Sequence, residues 1–341
     1  MAGKRQHHVW QLIQRGFGEK RGKDHHIWVY KKGCMPRQTS TRKFGVEPFF
    51  FSEDNDDAAD ITLTNFENSI QSRIQELRKA KDGAIVEPDF IAPFIAHLEM
   101  RSQFLREEIS SLGERLITGL TKVLEDEKKA ANMMFSYLQN HPELLENELE
   151  KYEIPDNLRP VAKAMVEIRI PDLIKEQTAP LAEMARTLLG PFIQKIPIIS
   201  KRAQLESIGK GFTEIERTNT HLNMNYCVHI SPENIILPDT GLAFFKRKGL
   251  APISQKSDEI TDVIIPIGSN SYVYGFRNDA IQRTAKTINN ALASCSYQSF
   301  IARDDNPTFR KMADKIGKNA FLISDAEINK MVSFENLIQN L

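Results

Sequence analysis

Apolar residues along this 341-residue chain change their period twice, and that switch constrains the fold more than any other feature of the sequence. In "HHIWVYKKG", Ile27 and Val29 alternate with Trp28 and Tyr30, the period of two that a β-strand requires. Both sets are apolar, so both faces of the strand should be covered. "RKFGVEPFFFSED" reads as a second extended segment, because Pro48 restricts Glu47 to extended backbone. From Thr64 the period lengthens. Phe66, Ile70, Ile74 and Leu77 share one helical face, Thr64 and Glu67 match a capping box, and the helix should end near Gly83. A second helix is expected from Glu87, with Phe90, Phe94, Ile95 and Leu98 on one face, and a longer one from Leu112 to Gln139. The His141-Pro142 break, Pro155, Pro160, Pro171 and Pro191 then predict short helices up to about Lys210. After Gly211 the period of two returns in "NYCVHIS", "GLAFFKR", "TDVIIPIG", "SYVYGF" and "YQSFIAR". A helix is expected over 279–293, and Ser324 with Glu327 should cap the last one.

Strands, then helices, then strands is an α+β order rather than a βαβ alternation. The expected fold is α+β, with N-terminal strands joined to a C-terminal mixed sheet and a large central helical region. The matching division is a β module over 1–60, a helical region over 61–210 and an α+β module over 211–341, the first and last forming one core.

A content of 41% hydrophobic and 26% charged residues suits a globular chain and argues against disorder. No apolar run approaches the roughly 20 residues of a membrane helix, so no membrane partner is expected. The basic N-terminus has no apolar stretch of the signal-peptide kind behind it, which makes the cytoplasm the default compartment. Cys34, Cys227 and Cys295 show no CxxC spacing and read as buried, unreactive thiols. Cys227 and His229 would share a strand face and could hold zinc, yet no second ligand pair accompanies them. Met133, Met134 and Tyr137 read as a helix-packing stripe. No HExxH, GxSxG, phosphate-loop or dinucleotide pattern is present.

Net charge is zero but unevenly spread. Residues 1–43 hold eleven Lys and Arg against Glu19 and Asp24, a local charge of +9, whereas residues 44–60 hold six acidic residues and no basic one. The two stretches are either solvated faces that attract each other or, on the basic side, a surface for an anionic partner.

The run Gln6-His7-His8-Val9-Trp10-Gln11-Leu12-Ile13-Gln14-Arg15-Gly16-Phe17, followed by Ile27-Trp28-Val29-Tyr30, resembles the signature of the mainly bacterial proteins grouped as domain of unknown function 4238. That signature reads Gln-His-x-Val-Pro-Gln-Phe-Tyr-Leu-Arg-x-Phe and then Trp-x-Tyr. The resemblance continues through "VEPFFFSED", the helix carrying Arg101, "NIILPDTGLAFF" with Asp239 on the family aspartate, and the closing "IIPIGSNSYVYGF" and "INNALASCSYQSFIAR". The chain departs from the pattern at Trp10 and Gln14, and again where Thr240-Gly241 replaces Asn-Pro. It implies candidate residues more than a reaction.

Those candidates are His7, Asp239 and Glu47 as catalytic groups, with Gln6, Arg15, Arg101, Trp28 and Tyr30 around the substrate. Consecutive strand residues point to opposite faces, so only one of His7 and His8 can serve the site, and His7 holds the signature position. An imidazole, two carboxylates and two guanidiniums suit phosphoryl-group hydrolysis assisted by a divalent metal such as Mg or Mn. This reading makes the protein a nucleic-acid-directed hydrolase of the kind used as a defence or toxin-like effector. The alternative is a noncatalytic nucleic-acid or protein binder whose His/Asp network is structural. DNA or RNA would engage the basic N-terminal segment, where Trp28 and Tyr30 could stack on bases.

Overall fold

The computed structural model describes residues 5–53, 56–213, 216–256 and 258–332. In chain order the N-terminal part contains β1 (Arg5–His7), α1 (Gln11–Arg15), β2 (Glu19–Arg21), β3 (Asp24–Lys31), β4 (Arg37–Ser40), β5 (Val46–Pro48), α2 (Ala58–Leu77), β6 (Ile85–Val86) and α3 (Pro88–Arg101). The middle is helical, with α4 (Gln103–Glu125), α5 (Glu127–Asn140), α6 (Pro142–Lys151), α7 (Arg159–Gly209) and α8 (Glu216–Leu222). Then follow β7 (Asn225–Ile230), β8 (Leu237–Pro238), β9 (Ala243–Lys246), β10 (Gly249–Ala251), β11 (Ile260–Gly268), β12 (Ser271–Phe276), α9 (Ala285–Cys295), β13 (Ser299–Ala302), α10 (Pro307–Met312) and α11 (Asp325–Met331). The fold is α+β.

The chain forms two compact units, one of residues 1–109 with 199–322 and the other of residues 110–198 with 323–341. In the first unit β3 sits at the centre of a five-stranded sheet and pairs with β13, placing Tyr30 opposite Phe300 and Trp28 opposite Ala302. The N-terminal strand therefore joins the C-terminal sheet, as its two apolar faces require. Ile27 and Val29 pack into one hydrophobic cluster with Phe94 and Val228, while Tyr30 packs into another with Phe300 and Leu292. A six-stranded sheet ordered β10-β9-β11-β12-β7-β6 lies in the same unit.

Every pairing among the described residues is antiparallel, so the expected mixed sheet is corrected. The reason is connectivity: β9 to β10 and β11 to β12 are joined by two-residue turns, and parallel neighbours would need long crossovers.

Helix boundaries also differ from expectation. α2 begins at Ala58, so Thr64 and Glu67 lie inside it and form no cap. The single helix expected from Leu112 starts at Gln103 and is interrupted at Asp126, whose side chain accepts from Lys129 N at 3.2 Å and caps α5 instead. α7 runs unbroken through Pro171, Pro180, Pro191 and Pro197. Each proline removes one i→i−4 bond, a local penalty that the many remaining bonds of a 51-residue helix outweigh. The break at His141-Pro142 stands between α5 and α6, and the Ser324–Glu327 capping box is present at α11.

In the second unit the side chains of Met133 and Met134 lie outside the described residues, and Tyr137 is exposed with its ring 4.4 Å from His141. Among the cysteines only Cys295 is buried. Cys34 is exposed on the loop after β3 and Cys227 is half-buried, which corrects the expectation for both. No helix is long and apolar enough to cross a membrane among the described residues.

Candidate functional site

β1 pairs with β5, which brings Gln6 opposite Glu47 and His7 opposite Val46. Gln6 is buried and its Oε1 accepts from Phe51 N at 2.5 Å. His7 is half-buried, its Nδ1 lies 3.1 Å from the Phe44 carbonyl, and burial lowers its pKa before any neighbouring charge contributes. His8 is buried against Phe50, and desolvation, then the Arg101 charge, pushes it down to about 3. The ring is neutral at physiological pH.

Arg101 closes α3 and is 3% exposed, a burial that an arginine tolerates only when every donor is engaged. It donates through Nε to the His8 carbonyl at 3.2 Å and to the His7 carbonyl, pairs with Glu67, and lies 2.9 Å from His97 Nε2. The guanidinium thus staples the main chain of the His7-His8 segment to α2 and α3. Its donors are directed at protein atoms, which leaves it no free fork for a substrate phosphate.

Asp239 follows β8, and its carboxylate accepts three main-chain N–H groups, from Tyr297 at 2.7 Å and from Gln298 and Ser299 at 2.8 Å each. Ser299 Oγ adds a fourth bond at 3.3 Å. Burial pushes this carboxyl up to about 6 against the pull of those donors. The residue holds the turn between α9 and β13.

His8, Arg101 and Asp239 line one small cavity with Trp10, Leu98 and Gly241. The histidine that shares a wall with Asp239 is therefore His8, while His7 is not among the lining residues. The cavity has about 10 Å³ of free space, room for about one water and none for a nucleotide. Glu47 is half-buried beside Arg106, and burial, with Glu107 nearby, raises its pKa. Arg15 is exposed and donates to Gln11 Oε1 at 2.9 Å.

Tyr30 is 1% exposed. Its hydroxyl donates to Asp304 O and accepts from Asn306 N, both at 2.9 Å, and its ring stacks on Phe300. It belongs to the core and cannot stack on a base; Trp28, half-buried, packs against the same cluster. Among the described residues no three His, Cys, Asp or Glu side chains are placed to hold a metal. The expected set therefore does not fit a divalent cation: Asp239 is saturated by main-chain donors, and His7 faces a carbonyl.

Two polar clusters escaped the sequence reading. In the first, buried Glu99 accepts from Ser254 N at 2.6 Å and Ser254 Oγ at 3.0 Å, pairs with Arg217 at 3.1 Å and lies 3.3 Å from His221 Nε2. This cluster forms part of the wall of a cavity of about 700 Å³ that includes Ser254, Arg217, Lys210 and Lys256. A serine relay needs its carboxylate on Nδ1. Here Ser254 Oγ and Glu99 both address Nε2, and the buried Nδ1 has no partner among the described residues, so Ser254 is not activated. The one signal available was the presence of His97, Glu99 and Arg101 within a helix whose last eleven residues are all buried.

The second cluster is Cys227, His229 and Asp82. Cys227 Sγ lies 3.5 Å from His229 Nε2, and Asp82 Oδ1 lies 3.3 Å from His229 Nδ1. Because the carboxylate approaches the opposite ring nitrogen, it cannot join the thiol as a ligand of one zinc ion.

The basic segment forms the exposed part of the β2–β3–β4 ladder. All ten described Lys and Arg residues between Arg5 and Lys43 are exposed. The Gly22 turn and the register Arg21↔Asp24 put Lys20, Arg21 and Lys23 at one end of β3, and the Thr41 N bond to His25 O brings Arg42 and Lys43 to the same end. Arg21 pairs with Glu19 and Arg42 with Asp24. The acidic stretch that follows is engaged elsewhere, with Glu53 against Arg202 and Glu47 beside Arg106. No protein family, curated protein or solved structure matches the chain, so the likeness to domain of unknown function 4238 rests on its motif residues.

Proposed function

We propose that the protein binds nucleic acid through the basic end of the β2–β3–β4 ladder, and that His7, Arg101 and Asp239 act as structural residues. The observation that carries this reading is the concentration of Lys20, Arg21, Lys23, Arg42 and Lys43, all exposed, around one sheet end with Glu19 and Asp24 as their ion-pair partners. Exposed cations near one another attract a phosphate backbone by releasing its counterions, without reading base identity. Net charge of zero is compatible with this, because the local field decides the encounter. A metal-assisted nuclease built on His7, Glu47 and Asp239 draws no support from geometry that commits His7 and Asp239 to main-chain partners and sets Glu47 beside Arg106.

Fluorescence anisotropy with a labelled oligonucleotide tests the reading. Binding should weaken steeply with salt, and the triple exchange of Lys20, Lys23 and Lys43 for Gln should reduce the log–log salt slope by up to about 3. Absent binding, or a slope the triple variant leaves unchanged, rejects it.

A further inference from the structure

The six-stranded sheet presents a second site on the face opposite to its contact with α3. Cys227 and His229 are two residues apart on β7 and project to the same face as their cross-strand partners Tyr274 and Tyr272. Asp82 reaches them through a tight turn. Gly83 has a φ of +78°, a left-handed conformation suited to glycine, and its N–H donates to Val228 O at 2.8 Å while Val228 N donates to Ala84 O at 2.8 Å. That pairing lays the turn alongside β7, and Asp82 Oδ1 also accepts from Ile230 N at 2.8 Å. The carboxylate is thereby held next to His229 Nδ1.

We propose that Cys227, His229 and Asp82 form a nucleophilic thiol site that takes an acyl group from small uncharged esters and thioesters. The order of contacts is the one such chemistry needs: sulfur at Nε2 and carboxylate at Nδ1, so that the Asp82 charge favours a proton on Nδ1 and leaves Nε2 free to accept one. Burial, and then the Asp82 charge, raise the Cys227 thiol, which is therefore protonated at neutral pH and depends on a base. His229 is that base. Its ring stacks on Tyr272 with centroids 5.5 Å apart, which limits its reorientation.

His229 and Asp82 line a cavity of about 510 Å³, a volume within the range of small-molecule sites; half-buried Cys227 is not among the lining residues and meets the cavity through its 3.5 Å contact with His229. Ile264, Tyr272, Tyr274 and Ile288 supply an apolar and aromatic part of the wall, and Ser231 and Gln282 add polar groups to it. Arg283, also in the wall, is tied to buried Asp262, which with Tyr274 is consumed in one network. With Arg283 committed to Asp262 and the Asp82 carboxylate in the wall, the cavity offers no free cation among the described residues and opposes an anionic substrate, which selects an uncharged acyl group. Tyr272, whose hydroxyl has no hydrogen-bond partner among the described residues, is the donor available to a developing oxyanion.

In the reaction the thiol proton passes to His229 Nε2 as sulfur bonds to the acyl carbon. The bond from that carbon to the leaving oxygen or sulfur breaks, and the leaving group takes the proton from Nε2. Water, deprotonated by the same nitrogen, then attacks the thioester and releases the acid and the free thiol.

The test uses the full chain with Cys34→Ser, which removes the exposed thiol, and 4-nitrophenyl acetate as probe. A burst of nitrophenolate and an acetyl adduct mapped to Cys227 are expected, and Cys227→Ala should abolish both. His229→Ala should slow acylation by about 100-fold or more, with His229→Gln as the second variant should the alanine protein fail to fold. Asp82→Asn should slow it about 10-fold and Asp82→Glu should restore part of the rate, a rescue that a purely structural carboxylate would not show. Acetylation confined to lysines, or a Cys227 rate unchanged by the His229 exchange, overturns the proposal.

Discussion

Replacing Asp239 by Ala separates a structural carboxylate from a catalytic one. The exchange withdraws the acceptor from the N–H groups of Tyr297, Gln298 and Ser299, each now bonded at 2.7–2.8 Å. A buried donor left unpaired costs about 1–3 kcal/mol. Gln298 is exposed and water replaces its bond at little cost, whereas Ser299 is 4% exposed and Tyr297 half-buried. Two donors therefore carry the penalty, and the expected loss is about 2–6 kcal/mol for Asp239→Ala. Asp239→Asn keeps one acceptor oxygen and should lose about half as much. Equilibrium urea unfolding gives the number directly, as a lower midpoint at unchanged slope. An alanine variant within about 0.5 kcal/mol of wild type, the range of an ordinary surface exchange, refutes the structural assignment. It would return Asp239 to the candidates for chemistry.

Two further outcomes follow from the same network. Burial pushes His8 down to about 3 and His97 to about 4 from an ordinary 6.5, so the unfolded chain binds protons that the folded chain excludes. Their contribution to stability is complete above pH 6.5 and is lost as pH falls from there toward 4. Unfolding curves across that window should show the decline, His97→Gln should flatten it, and equal slopes for both proteins would reject the assignment. Deleting residues 1–50 removes the β3–β13 ladder and the side chains of Ile27, Val29 and Tyr30 from two clusters. A fragment of residues 211–341 should then fail to unfold cooperatively by circular dichroism, and a sharp transition would show that it folds alone.

Elements whose signal is local were legible in the order of residues alone. The period of two in "HHIWVYKKG" identified β3, its two apolar faces required cover on both sides, and Ser324 with Glu327 marked the start of α11. These are interactions over three or four residues, written in side-chain identity. Boundaries were less legible where tertiary packing competes with local rules, as at α2, which extends N-terminal to its apparent cap so that Ala59 and Leu63 can bury against Phe50 and Phe51. The site was least legible of all. Arg101 and Asp239 were identifiable as residues, but their partners are main-chain carbonyls and amides, which every residue carries and no pattern announces. The meeting of Asp82 with His229 depends on a turn laid against β7 from far along the chain, and the separation of Ser254 from a true relay depends on which imidazole nitrogen faces Glu99. Such choices are made only when the sheet and helices pack, because packing alone decides which polar groups are left to satisfy one another.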